Sequence, residues 1–152
     1  MLGMLKDVRA KLLKLVAQVS WLGPLLGRFT VGVVFIASGW GKLHTLDKVT
    51  EFFTSLHLPA PHFQAILVAC TELFGGIAVL VGLLTRLAAL PLAVTMVVAI
   101  LTAKRDDIQG LVSLVGFDEW AYLIILLWLA LTGPGKASID YFVGRQLDRD
   151  AA

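Results

Sequence analysis

Four stretches of this chain are apolar for nearly the length needed to cross a bilayer, and they limit its fold more than any other feature. A helix spanning the hydrocarbon core needs about 20 apolar residues. The stretches are Leu22–Leu43, Gln64–Leu84, Leu87–Ala103 and Trp120–Thr132, the last being the shortest. With 58% of residues hydrophobic and 16% charged, a water-soluble fold could not cover its apolar surface. Backbone polar groups in lipid must be satisfied internally, which leaves helices or a closed barrel. No stretch alternates with a period of two, so helices are expected. The sequence predicts an all-α fold, a four-transmembrane-helix bundle. The formal charge of +2 and the ungrouped basic residues argue against a nucleic-acid partner.

Residues 1–20 precede the first span and read MLGMLKDVRAKLLKLVAQVS. At about 100° per residue, Met4, Leu5, Val8, Leu12, Leu15, Val16 and Val19 share one arc. Lys6, Asp7, Lys11, Lys14 and Gln18 lie opposite, with Arg9 the exception. An amphipathic helix on the surface of an anionic leaflet is expected here. A cleaved signal peptide is the rival reading. Arg28 interrupts the apolar run and no A-x-A site follows, so a retained helix is preferred. Residues 21–140 form the membrane domain and 141–152 a polar tail. Counting Lys and Arg in an N-inside arrangement puts nine on the cytoplasmic side and four outside, so both termini are expected in the cytoplasm.

The loop after the first span, HTLDKVTEFFTSLHLPAPHF, has Leu46, Val49, Phe52, Phe53 and Leu56 at near-helical spacing. A short interfacial helix is expected, stopped by Pro59 and Pro61. Cys70 is the only cysteine, which excludes an internal disulfide, a dithiol motif or a cysteine-ligated cluster within one chain. His44, His57 and His62 fall in or beside one loop at a spacing that matches no zinc pattern, so no metal site is expected.

The polar residues inside the spans are more informative. On a helical wheel Arg28, Gly32, Phe35, Gly39 and Lys42 share a face of the first span, with glycines between two cations. The second span presents Ala65, Ala69, Glu72, Gly76, Val79 and Leu83 together. Small residues at these positions let helices approach closely in a membrane. The third contributes Pro91, Thr95, Val98 and Thr102, and the fourth Glu119, Leu123, Leu126 and Ala130. Glu72 lies about 12 Å along its span from the outer end, where Lys42 and Glu119 also lie. Lys42 is the expected partner of Glu72. Arg28, about 21 Å of helix rise from Lys42, is expected to meet Arg86 and lipid phosphates. A carboxylate inside a membrane span is by default a functional candidate, and a structural ion pair is the plainer alternative.

Four segments in this order resemble the DoxX family of small bacterial membrane proteins: RFTVGVVFIASGWGKL, LHLPAPH, TELFGGIAVLVGLLTRLAAL, and the closing E-W-A-Y and LTGPGKASID. Together they cover roughly residues 28–140. The resemblance implies a four-span bundle in the bacterial inner membrane. It also implies kinship with a subunit of a thiosulfate:quinone oxidoreductase and with membrane partners of oxidative-stress enzymes. The family's recurrent polar residues correspond to Arg28, Lys42, Glu72 and Glu119. Many relatives carry a histidine at the end of the third span, where this chain has Thr102-Ala103-Lys104-Arg105.

The leading expectation is a redox-linked subunit without a metal, binding a quinone or similar apolar small molecule between the helices. Glu72 would be the catalytic, proton-handling group, and Lys42, Glu119 and Arg28 would join it in binding. Electrons would come from a soluble redox enzyme at the membrane. The alternative is an anchor or scaffold for soluble oxidative-stress or sulfur-metabolism enzymes, without catalysis of its own. A small carrier or channel is a third and weaker reading, since four short spans with one acid offer little pathway unless the chain forms a homo-oligomer. Cys70 lies about 200° from Glu72 on the helix and is expected to pack rather than react.

Overall fold

The computed structural model describes residues 2–150, and all the regular elements in them are helical. They are α1 (Leu2–Val19), α2 (Leu22–His44), α3 (Leu46–Ser55), α4 (Pro61–Val81), α5 (Thr85–Thr102), α6 (Leu111–Val115), α7 (Asp118–Thr132) and α8 (Ile139–Asp150). A single 3-10 turn at Arg105–Asp107 precedes α6. By length and composition α2, α4 and α5 can each cross a membrane. With 15 residues, α7 rises only about 22 Å, short of the hydrocarbon core.

Local chemistry explains most of the element ends. Pro61 opens α4, where its missing N–H costs nothing. Gly82 closes α4 with φ of 76°, a left-handed conformation that glycine adopts freely. The second span therefore ends at Val81 rather than at Leu84, and Leu83 leaves the face assigned to it and is exposed. α3 forms where the loop's spacing predicts a helix, but ends at Ser55, ahead of both prolines. Through Asp150, the polar segment expected as the tail is helical, forming α8.

Through its described residues α1 packs extensively on no other element, and its described side chains, Leu12, Leu15, Val16 and Val19 included, are all exposed. The side chains of Met4, Leu5 and Val8, placed on its apolar arc by sequence, lie outside the described residues. So do Met1 and the terminal Ala151 and Ala152.

The bundle is built mainly from α2 against α4 and from α5 against α7. The first pair is joined through glycine. A Cβ on Gly39 would lie 2.7 Å from the Ala69 carbonyl oxygen, and one on Gly32 would lie 2.8 Å from the Leu80 Cβ. On the facing helix, a Cβ on Gly76 would sit 2.9 Å from the Ile36 nitrogen. Backbones this close gain dispersion contacts that lipid cannot supply. The core runs from Val31, Phe35 and Val79 to Leu92 and Met96 on α5, and to Leu126 and Leu129 on α7.

Candidate functional site

Glu72 is 2% exposed on the inward face of α4, among Ala65, Ala69, Gly76 and Val79. Its position across from Lys42 follows from the helix contact just described. Gly39 rests against Ala69 and Leu73, so the residue almost one turn further along α2 comes within reach of Glu72. The Lys42 ammonium donates to the Glu72 carboxylate in an ion pair, and also donates to Ser38 Oγ at 3.0 Å. A buried carboxylate is tolerated when it is paired in this way. The pair is asymmetric, because Lys42 is 28% exposed.

The open side of the pair borders a cavity of about 820 Å³. α2, α4, α5 and the first turn of α7 form its walls, and Phe52, Phe53 and Leu56 of the α3 region cover one end. Phe35 and Met96 lie at its deep end, next to the main core. The Phe35 and Tyr122 rings meet edge to face with centroids 6.1 Å apart, joining α2 to α7. Most of the lining is apolar. Its charged groups gather near the α3 end, with Lys42 and Glu72 on one side and Lys104, Asp118 and Glu119 on the other. Lys104 Nζ also stands 5.7 Å from the centre of the Phe117 ring.

Three of the four residues singled out by sequence, Lys42, Glu72 and Glu119, thus share one cavity. Arg28 does not line it. Its expected contact with Arg86 and lipid phosphates is replaced by a different arrangement, in which Arg28 is 2% exposed and bonded to backbone. Its Nε donates to the Val79 carbonyl at 2.9 Å and Nη2 to Leu80 at 2.7 Å. Nη1 donates to Pro134 at 3.1 Å and to Ala137 at 2.6 Å. The first two acceptors are carbonyls of the last turn of α4, where a cation suits the helix end, and Val79's also accepts from the Gly82 N–H. Beyond the turn, Asp140 accepts from the Leu84 and Thr85 N–H groups at 2.7 and 3.0 Å, at the start of α5. Arg28 and Asp140 together clamp the α4–α5 turn. Arg86 stays exposed, with one long contact of 3.5 Å to the Thr132 carbonyl.

Sequence reasoning did not single out Lys104, Asp118 or Tyr122 as lining the cavity. It did place Pro91, Thr95, Val98 and Thr102 on one side of the third span, and all four border the cavity. The tightly packed face of α5 lies beside that stripe, at Ala89, Leu92, Ala93, Met96 and Ile100. Cys70 is half-buried and is not among the lining residues. Among the described residues, no three of His, Cys, Asp or Glu cluster as a metal site would need.

Helices this apolar, joined through glycines and turning their charges inward, make a small multi-pass membrane protein. The sequence profile of the DoxX family matches residues 23–105, and the chain belongs to that family. The Bacillus subtilis (strain 168) protein named "Putative oxidoreductase CatD" is 36% identical over 80% of this chain and 87% of its own. The Mycobacterium tuberculosis membrane protein Rv3486 is 37% identical over 74% of this chain and 76% of its own. The Escherichia coli (strain K12) inner membrane protein YqjF is 30% identical over 82% of this chain and 95% of its own. An inner-membrane location follows for this chain. No solved structure matches it.

Proposed function

We propose that the protein is a redox-linked membrane subunit that binds a quinone, or a small molecule of similar polarity, in the cavity beside Glu72. One observation carries this reading. Among the described residues Glu72 is the only buried carboxylate, and it borders a largely apolar cavity instead of being sealed in the core. The volume, about 820 Å³, is in the range of ligand pockets, and apolar walls with a few convergent polar groups are their usual make-up. The oxidoreductase name carried by the relative CatD agrees with a redox role.

A bound quinone would supply the redox chemistry, accepting electrons from a carrier on a partner protein and protons from its surroundings. Lys42 is placed to donate a hydrogen bond to a carbonyl oxygen near the α3 end. Glu72 is placed to hold and release a proton beside it, with the ammonium balancing its charge when ionised. Phe35 and Tyr122 line the cavity, and Phe52 and Phe53 of α3 border it. The positive-inside count puts the α3 end outside and both termini in the cytoplasm.

A second reading is favoured by α1, whose exposed length contacts little of the bundle. A free basic helix of this kind suits a scaffold that holds soluble enzymes at the bilayer.

The test is extraction in mild detergent with mass spectrometry of co-purifying lipids, together with Glu72→Gln assayed for stability and linked redox turnover in the same membranes. Glutamine keeps the shape and a hydrogen bond to Lys42 and removes only the titration. A bound quinone in the wild type and a stable, inactive variant are expected. A stable and fully active Glu72→Gln would leave the carboxylate as a pairing device.

A further inference from the structure

Two of the four seams around the cavity are shut along its length, and a third is closed on its deep side. α2 and α4 touch backbone to backbone through Gly32, Gly39 and Gly76. α2 and α7 are joined at the deep end by Phe35 on Tyr122 and pack more sparsely beyond it. α5 and α7 pack through Met96, Ile100, Leu123 and Leu126, all of them core residues. The fourth seam, between α4 and α5, is tight only near the turn that joins them. There a Cβ on Gly75 would lie 3.0 Å from Leu92 Cγ, and Val79, Ala89 and Leu92 are wholly buried.

Further from the turn both helices border the cavity. Leu67 and Thr71 do so from α4, and Val94 and Val98 from α5. Leu67 and Val94 are more than half exposed while lining the cavity, at 53% and 60%. Val94 also belongs to the exposed, wholly apolar arc of Leu87, Leu90, Val97 and Leu101, which is the arc α5 presents to lipid. The charged groups lie elsewhere, under α3. The seam is therefore an apolar gap that faces hydrocarbon and leads to a polar end.

We propose that the cavity is entered sideways from the bilayer through the gap between α4 and α5, bordered by Leu67, Thr71, Val94 and Val98. Its ligand is then an amphiphile whose small polar head reaches Lys42 and Glu72 while a hydrocarbon tail stays in the gap. This rests on the cavity being a ligand site, and it selects a lipid-dissolved ligand over a compact one arriving from water.

The gap itself is tested without ligand. Nitroxide labels are placed at Thr71→Cys and Val94→Cys, each with Cys70→Ala, in full-length protein in phosphatidylethanolamine–phosphatidylglycerol vesicles. Strong relaxation by dissolved oxygen and weak relaxation by a water-soluble nickel chelate are expected at both positions. Nickel relaxation exceeding that of oxygen at Thr71 would overturn the proposal, because the cavity would then open to water. The ligand half is tested with a decyl-chained benzoquinone in the same vesicles. Val94→Trp, on an exposed side chain, should slow its association at least about tenfold with thermal unfolding unchanged. Unchanged association would reject the gap as the route while leaving the cavity as the site. Failure of the quinone to bind the wild type, with oxygen still dominant at Thr71, would reject the ligand reading and not the gap.

Discussion

Glu72 and Arg28 are equally buried, and their partners separate their roles. Glu72 has one counter-charge, which is itself part wet. Arg28 fills a planar fork with four carbonyls from two segments, and an ammonium cannot reach all of them at once. Arg28→Lys should lower stability by roughly 3 kcal/mol or more, read as thermal unfolding in detergent, since each lost bond from a charged donor contributes about 1.5–3 kcal/mol. An unfolding midpoint equal to the wild type's would show the hub to be dispensable. The clamp has a second duty at Leu84, which holds φ of 47° although it is not glycine. Such a conformation costs on the order of 1 kcal/mol, and the Asp140 carboxylate that accepts from its N–H holds it there. Cys70, outside the cavity lining, should tolerate Cys70→Ala with activity near normal. A folded but inactive Cys70→Ala would give the thiol a role the geometry does not.

At the level of elements, the glycines of α2 make a paired test. Gly39→Ala sets a methyl against the α4 backbone and must push the helices apart, which should cost about 1–3 kcal/mol and loosen Lys42 from Glu72. Gly41, two residues on, has nothing within 4 Å of its would-be Cβ, and Gly41→Ala should be neutral or stabilise by up to about 1 kcal/mol. Equal thermal shifts for the two would mean that helix propensity, not contact, governs both. The faces of α2 and α4 were legible in the sequence because close helix packing imposes small residues at helical spacing. The Lys42–Glu72 pairing was legible for the same reason, with the spans in register at one end. The fate of Arg28 and the start of α5 were not, because contacts distant in the chain set them. Arg28 bonds residues more than a hundred positions away, and Asp140 starts α5 from beyond α7. The cavity was half legible. The stripe Pro91, Thr95, Val98 and Thr102 borders it, but periodicity marks which residues share a face and not whether the facing helix touches them.

For the molecule as a whole, deleting residues 2–20 separates the two readings of function. Among the described residues α1 packs extensively on nothing, so the bundle should unfold at the wild-type temperature and keep any bound quinone. A scaffold should lose its soluble partners in the same deletion, as seen in co-purification from membranes. A large drop in thermal stability would show instead that α1 belongs to the fold. The Arg28 hub has a further consequence, for the order in which the chain is assembled. Two of its acceptors lie 106 and 109 residues further along. At about 5–20 residues per second of synthesis, α2 waits roughly 5–20 s in the bilayer before those carbonyls exist. Through that interval its guanidinium must be hosted by headgroups or by the insertion machinery. The first span to enter is thus secured in part by one of the last segments to be made, and a nascent chain halted before Pro134 carries a cation that its own backbone can satisfy only by half.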